Sequence, residues 1–177
     1  MMFQSSWVPS TMARNVASFG AAVGSSIVVS VMPAPRGVEV SQGTTSSVSP
    51  VLGKQEAYEK GAAEAWMVED GKVTEGTSSN AYIVKGNTVI TRPLSNRILA
   101  GCTRRALMRL SKEHGVKVEE RLFTPEEAYE ADEAFLTSAS QFVMPIVEID
   151  GKRIGGGQPG PVSRKLRELF LEEAQAL

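Results

Sequence analysis

The chain has 177 residues, with 19 Lys and Arg against 20 Asp and Glu, and its formal net charge is −1. This length suits one medium domain, or one domain plus an extra segment, and the charge provides no basic surface for nucleic acid. With one cysteine and one histidine, the chain cannot form an intramolecular disulfide framework or a Cys/His metal site. The cysteine content also indicates a reducing, cytoplasmic compartment.

The N-terminal part differs in composition from the rest. The only charges in the first 38 residues are Arg14 and Arg36, and eleven serines lie within the first 50 residues. The uncharged run over residues 16–32 contains too much Ser and Gly for a transmembrane span, although it can be read as a weak signal peptide. The alternative is an atypical segment over residues 1–46 with no native fold. We therefore divide the chain into residues 1–46 and residues 47–177.

The second part shows alternating helix and strand patterns that predict a mixed α/β domain. A helix over 52–61 is expected to carry Ala57, Tyr58 and Gly61 along one side, and a final helix to bury Val162, Leu166, Leu169 and Phe170. Between them the patterns predict strands over 64–68, 81–84, 88–91, 116–120, 134–137, 144–149 and 152–154, and helices over 103–113 and from Thr124. Asp70-Gly71 and Asp150-Gly151 indicate tight turns, and Thr124 with Pro125 and Glu127 indicates a capping box.

Three small, polar loops separate these elements. They read Glu75-Gly76-Thr77-Ser78-Ser79-Asn80, Gly101-Cys102-Thr103-Arg104 and Thr137-Ser138-Ala139-Ser140. The second precedes a helix, whose unpaired N–H groups can bind phosphate, and a carboxylate such as Glu75 can hold a cationic heterocycle protonated. Three such loops can converge on one phosphorylated ligand.

Each loop also has an ordinary structural interpretation. Thr103 can be a plain N-cap, Ser138 part of a strand-to-loop turn, and Glu75 a solvated turn acid. Cys102 is read as a small packing residue rather than a nucleophile, because no partner base is evident. His114 is expected at the surface or at a helix C-terminus.

The motifs together resemble the class IV (fold-type IV) pyridoxal-phosphate aminotransferases, and the D-amino-acid branch is the most similar. The resemblance covers about Val51 to Glu173 and rests on the blocks EAWMV, VTEGTSSNAYIV, TRPLSNRILAGCTRRAL and EERLFTPEEAYEADEAFLTSASQFVMPIVEIDGKRIG. It implies the mixed-sheet pseudo-barrel C-terminal domain of that family, with the N-terminal domain missing or replaced. It further implies pyridoxal 5'-phosphate as cofactor, an amino acid and a 2-oxo acid as substrates, and a homodimer, with no nucleic acid, membrane or metal.

The resemblance assigns roles to seven residues. Glu75 is expected to pair with the pyridine nitrogen, and Cys102 and Thr103 to give backbone and hydroxyl donors to the phosphate. The other members of the set are expected to complete the phosphate cup or to line the ring; they are Ser138, Ala139, Ser78 and Ser79.

The chain departs from the family pattern at the catalytic lysine. The family reads D-I-K-S-V-S-L-L-P-N where this chain reads Thr44-Thr45-Ser46-Ser47-Val48-Ser49-Pro50, so Ser46 stands at the lysine position. Lys54 matches a lysine of the following helix. The codons GAC GAC ATC AAG, which encode Asp-Asp-Ile-Lys, give Thr-Thr-Ser-Ser when read one base out of frame. We therefore hypothesise that residues 1 to about 46 are an out-of-frame translation, which the DNA upstream of codon 47 tests.

Three functions follow from this combination. The first is an aminotransferase-like protein for a D- or branched-chain amino acid, expected to lack activity as this chain because a serine cannot form the Schiff base. The second is a non-enzymatic remnant that binds a phosphorylated ligand or a homologous subunit. The third is an aminodeoxychorismate lyase-like protein, since the residues that separate these enzymes lie in the family's N-terminal domain.

Overall fold

A computed structural model describes residues 27–33, 48–95 and 98–175. The strands are β1 Ile27–Pro33, β2 Glu64–Glu69, β3 Lys72–Gly76, β4 Asn80–Lys85, β5 Thr88–Thr91, β6 Lys117–Glu120, β7 Glu133–Ser138, β8 Phe142–Ile149 and β9 Lys152–Arg153. The helices are α1 Val48–Glu59, α2 Cys102–Glu113, α3 Pro125–Tyr129 and α4 Pro161–Gln175. No helix among the described residues is long and apolar enough to cross a membrane.

The described strands form one mixed sheet in the order β3-β2-β1-β8-β7-β4-β5-β6, and β9 pairs with β8. The sheet is curled into a half-barrel, which confirms the predicted α/β class. Tight turns connect its hairpins, because Asp70 and Gly71, like Asp150 and Gly151, all have positive φ angles. Such a pair of angles matches the right-handed twist of the flanking strands.

Apolar side chains cover both faces of the central strands. In β4, Ala81 and Ile83 belong to one core, whereas Tyr82 and Val84 belong to another that includes Leu107 of α2 and Leu166 of α4. Tyr82 stacks on Phe135 of β7 with ring centroids 4.7 Å apart. Successive side chains of a strand point to opposite faces, so an uninterrupted apolar run shows that both faces are buried.

One strand was not predicted. β1 lies inside the sheet, parallel to both β2 and β8, and its Val29 is buried opposite Glu64. The sequence prediction placed Ile27–Pro33 within the atypical segment, so one strand of the sheet comes from the N-terminal side of the proposed boundary at residue 46. The boundary and the out-of-frame hypothesis stay predictions, since most of residues 1–46 lie outside the described residues.

One helix, α1, differs in detail from expectation, and another, α3, matches it. α1 starts at Val48 rather than Leu52, and Gly61 lies beyond its end with a φ of 77°. Ala57 is buried and Tyr58 is 55% exposed, so the two do not share one side of the helix as predicted, because adjacent helical residues point about 100° apart. α3 has the predicted capping box, in which the Thr124 side chain accepts from the Glu127 N–H and the Glu127 side chain accepts from the Thr124 N–H.

Candidate functional site

The three polar loops meet around one cavity of about 460 Å³. The pairing of Asn80 in β4 with Thr137 in β7 brings the start of one strand beside the end of the other, and α2 begins next to both. All seven predicted site residues line the cavity; they are Glu75, Ser78, Ser79, Cys102, Thr103, Ser138 and Ala139. We call residues 75–80 the loop wall, residues 101–103 the helix end and residues 137–139 the strand end.

Glu75 lies near the end of β3 and contributes a carboxylate to the loop wall. Its Oε2 accepts a hydrogen bond of 2.8 Å from the Leu99 N–H. Burial raises the pKa of Glu75 above its usual value, while the Leu99 N–H and the positive charge of buried Arg92 act in the opposite direction. The carboxylate is therefore partly desolvated, which strengthens any interaction it makes with a cation in the cavity.

The helix end leaves its first N–H groups without a side-chain cap. The N-cap of α2 is Gly101, which has no side chain that could accept a hydrogen bond from these N–H groups. Thr103 is therefore not the N-cap residue that its ordinary structural interpretation suggested. In contrast, α3 has its capping box, and Glu133 of β7 accepts from the Val162 and Ser163 N–H groups at the start of α4, both at 2.8 Å. An uncapped helix N-terminus that borders a cavity can bind an anion.

The Thr103 hydroxyl faces the strand end. It donates to the Ser138 carbonyl at 3.1 Å, so its hydrogen is committed to the protein rather than free for a ligand. The Ser138 hydroxyl accepts from the Gln141 N–H at 3.0 Å and keeps its own hydrogen. At this end of the cavity the structure thus offers Ser138 as a hydroxyl donor, where the sequence prediction had named Thr103.

Cys102 is exposed at the mouth of the helix end, and Ala139 is exposed at the strand end. Cys102 was expected to be a packing residue, but its exposure shows that it packs little. It contacts the Thr103 hydroxyl at 3.9 Å, and its thiol is the only one in the sequence. Any ligand at the helix end therefore lies close to this one thiol.

Arg104 fixes α2 in place behind the helix end. Its side chain is 2% exposed and donates to Thr91 Oγ1 at 2.9 Å, to the Arg92 carbonyl at 3.0 Å and to Glu120 Oε1 at 2.5 Å. These partners lie on or next to β5 and β6. Because a buried guanidinium is costly without hydrogen bonds, this arrangement holds the first turn of α2 against the sheet.

Sequence reasoning assigned no individual role to two residues that shape the cavity. Asn80 donates from Nδ2 to the Leu99 carbonyl at 2.9 Å, and it approaches Gly101 so closely that a Cβ there would lie 2.7 Å from Asn80 Oδ1. Glu64 is buried at the start of β2 and accepts hydrogen bonds from the loop wall. A carboxylate at the start of the otherwise apolar EAWMV strand was the available signal.

Residue 46, where the family pattern has its lysine, lies outside the described residues. Lys54 is in α1 as expected, and its Nζ lies 3.5 Å from Ser78 Oγ of the loop wall. His114 is the C-cap of α2, which confirms its predicted position. Among the described residues no group of three or more His, Cys, Asp or Glu side chains is placed to hold a metal ion.

Comparison with known proteins identifies the family. The chain matches the amino-transferase class IV family over residues 11–149, and it belongs to that family. This match starts well before Val51, where the sequence analysis placed the start of the resemblance. The matched range therefore includes β1.

Curated relatives include both predicted branches. A D-alanine aminotransferase of Bacillus licheniformis is 44% identical over 117 residues, which are 66% of this chain and 41% of that protein. A branched-chain-amino-acid aminotransferase of Pseudomonas aeruginosa is 40% identical over 126 residues, 71% of this chain and 41% of that protein. The chain thus spans about two fifths of the length of these relatives.

Among solved structures, the branched-chain amino acid aminotransferase of Thermobaculum terrenum in its PLP form is similar, with a TM-score of 0.79 and 31% identity. The alignment covers 87% of this chain and 52% of that one. The branched-chain aminotransferase of Thermoproteus uzoniensis with norvaline gives a TM-score of 0.75 and 31% identity, with coverage of 83% and 50%. These structures share the fold over about half of their own length.

Proposed function

We propose that this domain binds pyridoxal 5'-phosphate in the cavity between the loop wall and the helix end. The observation that carries the proposal is the placement of a half-buried carboxylate, Glu75, and an uncapped helix N-terminus on two walls of the same cavity. A pyridinium and a phosphate need partners of opposite sign. The cavity offers one of each.

The residues present fit this cofactor by their chemistry. Glu75 accepts hydrogen bonds and would hold a ring nitrogen in its protonated form. The first N–H groups of α2 and the Ser138 hydroxyl donate, as a phosphate requires. When bound, the cofactor supplies an electron sink for negative charge that develops on an amino-acid substrate. The protein supplies orientation, ring protonation and partial exclusion of water.

The reaction that this site supports best is transfer of an amino group between an amino acid and a 2-oxo acid in the cytoplasm. A D-amino acid and a branched-chain amino acid are both candidate substrates, because a D-alanine aminotransferase is 44% identical and a branched-chain-amino-acid aminotransferase 40% identical over the matched residues. An aminodeoxychorismate lyase-like reaction and assembly as a homodimer were implied by the resemblance and remain open proposals. Ser46 at the lysine position leads us to propose that this chain alone transaminates slowly or not at all.

Isothermal titration with pyridoxamine 5'-phosphate tests the binding proposal without interference from surface lysines, since this ligand carries no aldehyde. We expect saturable binding with one site per chain. The exposed α4 variant Glu168→Gln is a matched control, because it changes the same chemistry away from the cavity. Absence of binding to the folded protein would reject the proposal.

The lack of a covalent link can be measured separately. After incubation with pyridoxal 5'-phosphate and borohydride reduction, peptide mapping should find no single preferred lysine in the natural chain. The Ser46→Lys variant should be labelled at residue 46. Stoichiometric labelling of one lysine in the unmodified chain would show that another residue replaces the missing one.

The second candidate, a non-enzymatic binder of phosphorylated ligands, is favoured by Ser46 alone. It predicts the same titration result but no amino transfer, even for Ser46→Lys with a D-amino or branched-chain amino acid. Pyruvate or 2-oxoglutarate can serve as the acceptor in that assay. Turnover by Ser46→Lys would favour the aminotransferase.

A further inference from the structure

Glu64 organises the loop wall from behind. Its side chain is 2% exposed, and five donors surround its two carboxylate oxygens. Two are the backbone N–H groups of Ala65 and Thr77, at 2.9 and 3.2 Å, and the others are the hydroxyls of Thr77, Ser78 and Ser79. The two serine hydroxyls lie 3.1 and 3.3 Å from Oε2. All three hydroxyl residues also line the cavity.

The direction of these hydrogen bonds follows from the chemistry of the carboxylate. An ionised carboxylate only accepts, and a hydroxyl has a single hydrogen, so each of the three hydroxyls uses its hydrogen on Glu64. Ser78 supports this assignment independently, because its Oγ also lies 3.5 Å from the Lys54 ammonium, which can only donate. Ser78 therefore accepts from Lys54 and donates to Glu64.

The turn that carries these hydroxyls has little freedom to rearrange. The Gly76 N–H donates to the Ser79 carbonyl at 2.7 Å, and a Cβ at Gly76 would lie 2.0 Å from Ser79 Oγ. Glycine is thus required for Ser79 to reach Glu64. The backbone and the buried carboxylate together fix where the hydroxyl hydrogens point.

We propose that Glu64 is a positioning residue that restricts the three hydroxyls of the loop wall to accepting hydrogen bonds from a ligand. With their hydrogens committed, Thr77, Ser78 and Ser79 can bind only ligand groups that donate, such as an ammonium or a hydroxyl, and the adjacent Glu75 has the same preference. The donors that line the cavity are instead at the start of α2 and at Ser138. Glu64 therefore selects both the orientation of a phosphorylated ligand and the charge of the group beside its ring. This inference rests on the proposed cofactor site.

The variant Glu64→Gln tests the proposal with almost no change in shape. The glutamine amide accepts through its oxygen only, so hydroxyls that face its nitrogen must reverse and turn their hydrogens toward the cavity. The probes are pyridoxamine 5'-phosphate, which carries an ammonium beside the ring, and 4-pyridoxic acid 5'-phosphate, which carries a carboxylate there. We expect the natural chain to prefer the ammonium ligand. Glu64→Gln should reduce the ratio of the two affinities about fivefold, equivalent to one hydrogen bond of ordinary strength.

A loosened loop would weaken both ligands equally, and an unchanged ratio would overturn the inference. If the natural chain binds neither probe, the proposed cofactor site itself is wrong, which is a distinct outcome. Thermal melting of Glu64→Gln establishes whether it folds. If it does not, Ser78→Ala carries the test, because it removes one accepting hydroxyl from an exposed position, and it should lower the ratio in the same direction. Glu168→Gln, exposed on α4, should leave the ratio unchanged.

Discussion

Replacement of Glu75 by glutamine should weaken ligand binding and, in the absence of ligand, increase stability at neutral pH. Glutamine keeps an oxygen for the Leu99 N–H, which donates to Glu75 at 2.8 Å, so the backbone around the site is preserved. What is lost is the charge. A hydrogen bond to a charged group contributes about 1.5–3 kcal/mol and a neutral one about 1 kcal/mol, so the difference is about 0.5–2 kcal/mol. This corresponds to a roughly 2- to 30-fold higher Kd for pyridoxamine 5'-phosphate.

The stability effect has the opposite sign. Burial raises the pKa of Glu75 above 4.5, so the folded state disfavours its ionised form. Well below pH 4.5 the carboxyl is protonated in both states and has no cost, and the penalty develops as pH rises from 4.5 and is complete above the raised pKa. Urea unfolding of unliganded Glu75→Gln should therefore match the natural chain at low pH and exceed it at pH 7. A variant that binds pyridoxamine 5'-phosphate normally, or is less stable at pH 7, would refute this reasoning.

Two further predictions concern the frame of the site. Glu133→Gln should lower the free energy of unfolding by about 1–3 kcal/mol, because the amide nitrogen would face either the Val162 or the Ser163 N–H. The midpoint of urea unfolding measures this loss of stability. An unchanged midpoint would show that the helix cap contributes nothing. Gly76→Ala should reduce pyridoxamine 5'-phosphate affinity, since its Cβ would displace the Ser79 hydroxyl, and titration measures this. Unaltered affinity would mean that the loop wall tolerates the shift.

Local sequence signals were sufficient for most of the elements. Asp-Gly pairs specified two hairpins because few other residues adopt consecutive positive φ angles readily. The capping box at Thr124 identified the start of α3. The three polar loops predicted the composition of the cavity, because each of them contributes lining residues to it.

The remainder depends on contacts distant in sequence. The β1 sequence has almost no pattern of charged residues that could mark it as a strand. Its place between β2 and β8 is set by pairing with residues more than 30 positions away. The role of Glu64 depends on residues 13–15 positions along the chain, across the β2–β3 hairpin. The direction of the Thr103 hydrogen bond depends on Ser138 of β7. No periodicity or local motif encodes these relations.

The most direct test of the cofactor site uses Cys102, the only thiol of the chain, which is exposed at the helix end. The rate of iodoacetamide alkylation should fall saturably as pyridoxamine 5'-phosphate is added, because a phosphate bound at the start of α2 covers this thiol. Pyridoxamine without phosphate is the control and should protect much less. An alkylation rate that stays unchanged while titration shows the ligand bound would place the ligand elsewhere and contradict the proposed site.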